Sequence, residues 1–424
     1  MLLTLLLVLV VCFIINIPIG FAMGIAVLAS LLVFGGIPIT MLPQRMMTGI
    51  NSFPLLAIPL FMLAGTIMER GGISKRIVNL ASALLGHVRG GLAAVSVLAC
   101  TFFASISGSA PGTAAAVGEL TIPEMVKRGY AKDYASSVVA SASCLGVVIP
   151  PSITFIIYGI VADVSIGQLF IAGIIPGALL AFALIIVSVL RSRSLGYPTE
   201  IKQSWKERGR TLLDSLWGLM LPVIILGGIM TGIFTPTESA GIAVFYGLFV
   251  SMVVYRELSW KDLAPVFYKA SLNSAMIILL IAVASPFGWI MMIEQVPQMA
   301  SSALLGISTN VYLILLLMIL MYLILGTFME TGAIILLIVP IFAPVAQQLG
   351  IDMVHFGVIT VVALAIGMAT PPVGITLFAT CSISGVTIGQ ISRMVLPFLL
   401  TLVACLLVLA FVPSLSTFLP SLVF

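Results

Sequence analysis

The sequence predicts an all-α polytopic membrane protein built from two related halves, and three observations carry that prediction. Of 424 residues, 61% are hydrophobic and only 8% charged, more apolar surface than a water-soluble core can hide. Apolar segments near the ~20-residue length that crosses a bilayer recur from end to end. Residues 146–176, GVVIPPSITFIIYGIVADVSIGQLFIAGIIP, and residues 367–397, GMATPPVGITLFATCSISGVTIGQISRMVLP, are versions of one another. Pro150-Pro151 matches Pro371-Pro372, and Gly129, Gly146 and Pro176 match Gly350, Gly367 and Pro397 at one common offset. Gly167-Gln168 matches Gly389-Gln390 one residue out of step.

The cations give the orientation. Arg70, Lys75, Arg76 and Arg89 form one cluster, and Lys127, Arg128 and Lys132 a second. Residues 191–210 form a third, and Arg256, Lys261 and Lys269 a fourth. The excess of Lys and Arg in cytoplasmic loops places all four on one side. Residues 69–91 carry four of these cations, whereas their counterpart, 294–310, carries none. Residues 127–132 are basic, and the matching 349–355 offers only Asp352 and His355. The halves therefore face opposite ways: an inverted-topology repeat of 1–190 and 212–424, joined by a cytoplasmic connector at 191–211.

The elements follow in order. Residues 1–20 lack the basic start of a cleaved signal, and their apolar run continues past Pro18 to Phe34, so they read as a retained pair of short helices over 2–36. A span over 52–68 leads to an amphipathic arm over 73–88, with Ile77, Leu80, Ala81, Leu84 and Leu85 on one stripe. Next comes 92–125, whose middle, Ser105-Ile106-Ser107-Gly108-Ser109-Ala110-Pro111-Gly112-Thr113, is too polar to continue a helix. Basic loops flank it on both sides, so it predicts a re-entrant hairpin with a Ser/Gly tip. A span over 134–162, broken at Ile149-Pro150-Pro151-Ser152, and a helix over 168–190 complete the first half. The second half repeats the plan with spans at 212–233, 239–255 and 272–293, then an outer arm. A hairpin follows over 311–346, with its tip at Gly326-Thr327-Phe328-Met329-Glu330-Thr331-Gly332. A broken span over 355–384 and a last helix over 392–412 end the series. The total is about ten transmembrane helices plus two re-entrant hairpins.

Several function classes fall away. The net charge of +4 sits in short loops rather than on one basic face, so it gives no sign of a nucleic-acid partner. The cysteines, Cys12, Cys100, Cys144, Cys381 and Cys405, are scattered through apolar segments and read as buried free thiols. His87 and His355 stand apart, without metal-ligand spacing. There is no GxxxxGK[ST] phosphate loop, and the GSAPG of the first tip lacks the spacing of a serine nucleophile, so no enzyme is indicated.

What remains is a doubled constellation. A helix broken at Pro-Pro leaves carbonyls without partners, because proline brings no N–H. With the negative end of the half-helix dipole, those oxygens favour a cation, and nearby Ser or Thr hydroxyls complete an oxygen shell suited to sodium. The facing half-helix N-termini offer N–H groups to an anion. Small residues and prolines also mark close packing and kinks. Two matched pairs in opposed halves favour a transport site, with one cation in each half and an anionic solute between. Glu330 is a candidate functional charge or a hydrogen-bonded structural acid. Glu119 and Glu124 approach the cytoplasmic surface, Asp163 sits at a helix end, and Glu238 suits a helix N-terminus.

At these residues the sequence resembles the large membrane subunit of tripartite ATP-independent periplasmic (TRAP) transporters. The resemblance spans the chain and rests on SGSAPGTAAAVG with IPEMVKRGY, GVVIPPS, FTPTESAG, METGAI, and GIDMVHFGVI leading to ATPPVG. It implies an elevator-type, sodium-driven importer of organic acids such as C4-dicarboxylates, sialic acid or related sugar and keto acids, in a bacterial inner membrane. It also implies two partners, a small four-helix membrane subunit and a periplasmic binding protein, with Na+ as coupling ion and no other cofactor. By this resemblance Ser107, Gly108, Ser109, Gly146, Ile149 and Pro151 frame one sodium site. Gly326, Thr327, Glu330, Gly367, Thr370 and Pro372 frame the other. Ser105, Thr113, Ser152 and Thr376 are the candidates for contacting the solute. The sequence departs from the family pattern at Gly112, Ala363 and Thr376. A stand-alone sodium- or proton-coupled carboxylate symporter is the alternative; a channel lacks its pore ring of charges.

Overall fold

The structure, a computed structural model, describes residues 1–88, 90–198, 204–308 and 310–424. Arg89, Thr309 and the middle of the connector, 199–203, lie outside the described residues. Among the described residues the chain is all-helical, with 22 α-helices and no strand.

The first half runs α1 (Leu2–Ile14), α2 (Ile19–Phe34), α3 (Met41–Ile50), a 3-10 turn at Phe53–Leu56, α4 (Ala57–Arg70) and α5 (Ile73–Leu85). It continues through α6 (Gly91–Ser107), α7 (Ala110–Lys127), α8 (Lys132–Ser143), α9 (Leu145–Val148), α10 (Ile153–Val161), α11 (Ile166–Ala172) and α12 (Ile174–Ser194). The second half opens with α13 (Trp205–Met230), α14 (Pro236–Phe249) and α15 (Trp260–Ile293). Then come α16 (Val296–Ile307), α17 (Val311–Gly326), α18 (Thr331–Gln348), α19 (Met353–Met368), α20 (Ile375–Ser384), α21 (Ile388–Phe411) and α22 (Ser414–Val423).

Seven of these helical stretches are long and apolar enough to cross a membrane, eight if the pair over 132–161, bent by 45° at its break, counts as one span. The expected elements are present with shifted edges. The first hairpin is helical to within two residues of its tip, because Gly108 (φ +60°) ends α6 and the Ser109 hydroxyl accepts the amide of Gly112 to open α7. The helix expected over 168–190 is two, jointed at Gly173, where a β-carbon would lie 2.6 Å from the Val148 carbonyl. Two helices were not expected from the sequence. α3 carries Pro43, Gln44 and Arg45, and its Arg45 guanidinium lies 5.0 Å over the Trp289 ring. α22 docks on α19, with Ser416 2.6 Å from the His355 ring.

The matching sequence segments carry similar caps. Ser165-Ile166-Gly167-Gln168 starts α11, with the Ser165 hydroxyl accepting the Gln168 amide. Thr387-Ile388-Gly389-Gln390 starts α21 with a full capping box. The two copies interlock: α10 packs on α18, and α20 packs on α7. With lipid outside, such contacts depend on close packing of small residues rather than on hydrophobic burial.

Candidate functional site

Each hairpin tip meets the broken helix of its own half. In the first half the amide of Ile153, just past the break, donates to the Gly108 carbonyl at 3.4 Å. A β-carbon on Gly108 would lie 2.9 Å from the Pro151 carbonyl, and one on Gly146 2.5 Å from the Ser109 carbonyl. Only glycine permits this approach. The Ser107 hydroxyl donates to the Ser109 carbonyl at 3.2 Å. The structure thus gathers Ser107, Gly108, Ser109, Gly146 and Pro151. Ile149 turns its side chain to Gly177, leaving only its backbone for the group.

The second half repeats the arrangement. The Gly374 amide donates to the Thr327 carbonyl at 3.0 Å, and a β-carbon on Gly367 would lie 2.6 Å from the Gly326 α-carbon. The Thr370 hydroxyl donates back to the Ile366 carbonyl, and the Thr327 hydroxyl to that of Ile324, both at 2.7 Å. Pro372 lies exposed at the break, whereas Pro150 and Pro151 are buried. Both Pro-Pro bonds are cis. Glu330 caps α18: its Oε2 accepts the amides of Gly332 (2.9 Å) and Ala333 (3.3 Å), and the residue also lines a cavity.

That cavity has a volume of about 740 Å³. One wall is formed by α2, α4 and α15, the other by the first tip, the start of α10 and the head of α18. Ser107, Ser109 and Gly112 line it beside Glu330, so one chamber touches both hairpins.

The four solute-contact candidates lie elsewhere. Thr113, Ser152 and Thr376 are fully buried and hydrogen-bonded to backbone carbonyls, and Ser105 donates to Phe102. None of the four lines the cavity. Instead Ser152 closes the Val147 carbonyl at 2.6 Å, and Thr376 closes the carbonyl of Met368, the counterpart of Val147, at 2.9 Å. Carbonyls that the prolines would orphan are thereby partly satisfied from across each break.

Sequence reasoning missed the polar residues of the opposite wall: Thr66, Glu69, Lys269 and Asn273. Lys269 entered only as a topology charge. The signal was present in the helical spacing of Lys269, Asn273, Met276, Ile277 and Leu280, all lining the cavity from α15. The other acids play local parts. Glu124 pairs with Arg128 at 3.1 Å, and Glu238 completes the capping box of α14 with Thr235. Asp163 sits at a helix end with φ +54°. Among the described residues no cluster of His, Cys, Asp or Glu has the makings of a metal centre.

The family model for the DctM component of tripartite ATP-independent periplasmic transporters matches residues 6–415. The isethionate TRAP transporter permease protein DctMQ of Oleidesulfovibrio alaskensis is 44% identical over 96% of this chain; the chain spans 64% of that relative's length. The C4-dicarboxylate large permease protein DctM of Rhodobacter capsulatus is 38% identical over 96% of this chain and 95% of its own. The sialic acid large permease protein SiaM of Vibrio cholerae is 39% identical over the same shares. In fold, the chain is similar to the Alcanivorax borkumensis YdaH transporter, with a TM-score of 0.57 and 17% identity over 88% of this chain and 87% of that one. It is also similar to Neisseria gonorrhoeae MtrF, with a TM-score of 0.58 and 13% identity over 87% and 82%. The chain belongs to the DctM family of TRAP transporter large permeases, a family of multi-pass membrane transporters rather than enzymes.

Proposed function

We propose that this large permease subunit imports an organic acid anion across a bacterial inner membrane, driven by sodium. The observation that carries the reading is the doubled contact of tip and break. Ser109 closes on Gly146 in one half and Gly326 on Gly367 in the other, each bringing hydroxyls and main-chain oxygens together. Hard oxygen ligands of this kind suit an alkali ion. Ser107, Gly108, Ser109, Gly146, Ile149 and Pro151 hold one sodium; Gly326, Thr327, Glu330, Gly367, Thr370 and Pro372 hold the second. Ser105, Thr113, Ser152 and Thr376 fix the frame around these ions, and the solute occupies the cavity that both hairpins line.

The two halves stand inverted across the bilayer, so that both hairpins are re-entrant and the count reaches about ten crossings. The hairpins and broken helices move as one body, an elevator, against a scaffold of α1–α4 and α13–α15, with α5 and α16 as connecting arms. Two separate chains complete the system: a small four-helix membrane subunit and a periplasmic binding protein that delivers the solute. The solute belongs to the class named for the relatives, a C4-dicarboxylate, a sialic acid or a small sulfonate such as isethionate.

The test is reconstitution of the chain with both partners in proteoliposomes, offering radiolabelled succinate, isethionate and N-acetylneuraminate. An inward sodium gradient should drive accumulation of one of them. Uptake indifferent to that gradient overturns the coupling, and equal uptake without the binding protein overturns the tripartite assembly.

A further inference from the structure

The cavity wall opposite the hairpins holds a charge arrangement that the tip-and-break sites do not use. Lys269 and Asn273 lie one turn apart on α15 and face the same chamber. The Lys269 ammonium is held by both carboxylate oxygens of Glu69, at 3.0 and 3.2 Å, from the last turn of α4. Their side chains are 45% and 31% exposed, so the pair is not sealed inside the protein. An exposed pair gains little net stability from its contact.

Among the described residues lining the cavity, Lys269 is the sole cation, against two acids, Glu69 and Glu330. An organic anion entering this space therefore has one cationic side chain available, and an internal carboxylate already occupies it. We propose that Lys269 and Asn273 form an anion-receiving station on the cavity wall. Glu69 is the built-in competitor that the carboxylate or sulfonate of the solute displaces. The ammonium supplies the charge, and the Asn273 amide donates a second hydrogen bond to the same oxyanion. Once displaced, Glu69 remains hydrated at its exposed position, so its release leaves no buried unpaired charge. The exchange makes the station reversible, as a carrier that must let its cargo go requires.

This inference rests on the organic-anion reading above and deepens it. A merely structural pair, in which Lys269 only neutralises Glu69, makes a different prediction, and the double variant separates the two. Equilibrium binding of radiolabelled succinate, isethionate and N-acetylneuraminate should be measured on the purified membrane complex with its small subunit, in sodium. Whichever anion the wild type carries should bind about tenfold more weakly to Lys269→Gln and severalfold more weakly to Asn273→Ala. Lys269→Arg should stay close to wild type, and Glu69→Gln should bind as tightly or more tightly, its competitor gone. The double variant Glu69→Gln/Lys269→Gln should remain as weak as Lys269→Gln alone. Return of wild-type affinity in the double variant, or unchanged affinity in Lys269→Gln, overturns the station while leaving sodium-driven uptake intact. A wild-type complex that carries none of the three anions overturns the organic-anion reading, and the station with it.

Discussion

The Cys144 thiol donates to the carbonyl of Ala365 at 2.9 Å, and Ala365 is its own counterpart 221 residues on. A residue that touches its counterpart lies where the axis relating two copies passes, as in an isologous contact between subunits. Both residues are buried, and the two broken helices meet there through α9 and α19. The contact leaves no room for growth. Ala365→Leu should overpack the axis and cost ~1–3 kcal/mol, seen as a lower melting temperature of the detergent-purified protein. An unchanged melting point would show that the halves do not pack against each other at this point.

The glycines at the tip-and-break contacts should behave alike in the two halves. Gly146→Ala drives a β-carbon to within 2.5 Å of the Ser109 carbonyl, and Gly367→Ala to within 2.6 Å of the Gly326 α-carbon. The obstacles are backbone, which cannot swing aside as a long side chain can. Each substitution should abolish most sodium-driven uptake in proteoliposomes and lower the melting temperature. Gly241→Ala, whose β-carbon meets nothing within 4 Å, should do neither. Wild-type sodium dependence in both Gly146→Ala and Gly367→Ala would remove the ion sites from these contacts.

These elements were legible in the sequence because proline and glycine act locally: Pro150-Pro151 and Pro371-Pro372 break a helix whatever surrounds them. The charge stripe of the cavity was harder to read. Asn51-Ser52 of the first half recurs as Asn273-Ser274 in the second. In the first copy the chain leaves the α-helix there, ahead of Pro54. The second copy has no such proline, and α15 runs unbroken for 34 residues, carrying Lys269 and Asn273 on one face. A reading by spans stops at the apolar edge near 272 and leaves Lys269 outside. The burial of Thr113, Ser152 and Thr376 was likewise invisible, since a hydroxyl looks the same whether it faces a solute or closes a neighbouring carbonyl.

Ser152 and Thr376 should be replaceable only by each other's chemistry. Each donates across its break to matched carbonyls, those of Val147 and Met368. Ser152→Ala or Thr376→Val leaves a buried carbonyl short of a partner and should cost ~1–3 kcal/mol. Ser152→Thr and Thr376→Ser keep the donor and should recover most of that stability. Equal melting temperatures for Ser152→Ala and Ser152→Thr would show that packing, not the hydrogen bond, matters there.

Glu330 combines a cap with a charge, and two substitutions separate them. Its Oε2 holds the first amides of α18, at Gly332 and Ala333. Glu330→Gln keeps an acceptor oxygen, so its melting temperature should stay near wild type. Glu330→Ala loses the cap, at a cost of ~0.5–2 kcal/mol. If the carboxylate also draws sodium to the second site, Glu330→Gln should need severalfold more sodium for half-maximal uptake. A Glu330→Gln protein with the wild-type sodium requirement would confine this residue to its structural part.

Arg76 is the fixed point of the arm α5. Its guanidinium reaches Glu257 at 2.6 Å, Asp214 at 3.4 Å and the Gly72 carbonyl at 3.0 Å, and lies 3.7 Å over the Tyr255 ring. A planar, multidentate, stacking cation suits this site, and a lysine point charge cannot reproduce it. The contacts tie the start of the arm to α13 and to the loop before α15, while its far end continues into the first hairpin through α6. If the hairpins move and α13–α15 stay still, this end must hold. Arg76→Lys and Arg76→Ala should therefore slow the maximal rate of uptake while leaving the affinity of the purified complex for the anion unchanged, since Arg76 does not line the cavity. A fall in affinity with an unaltered rate would mean that the arm shapes the solute site rather than carrying its motion.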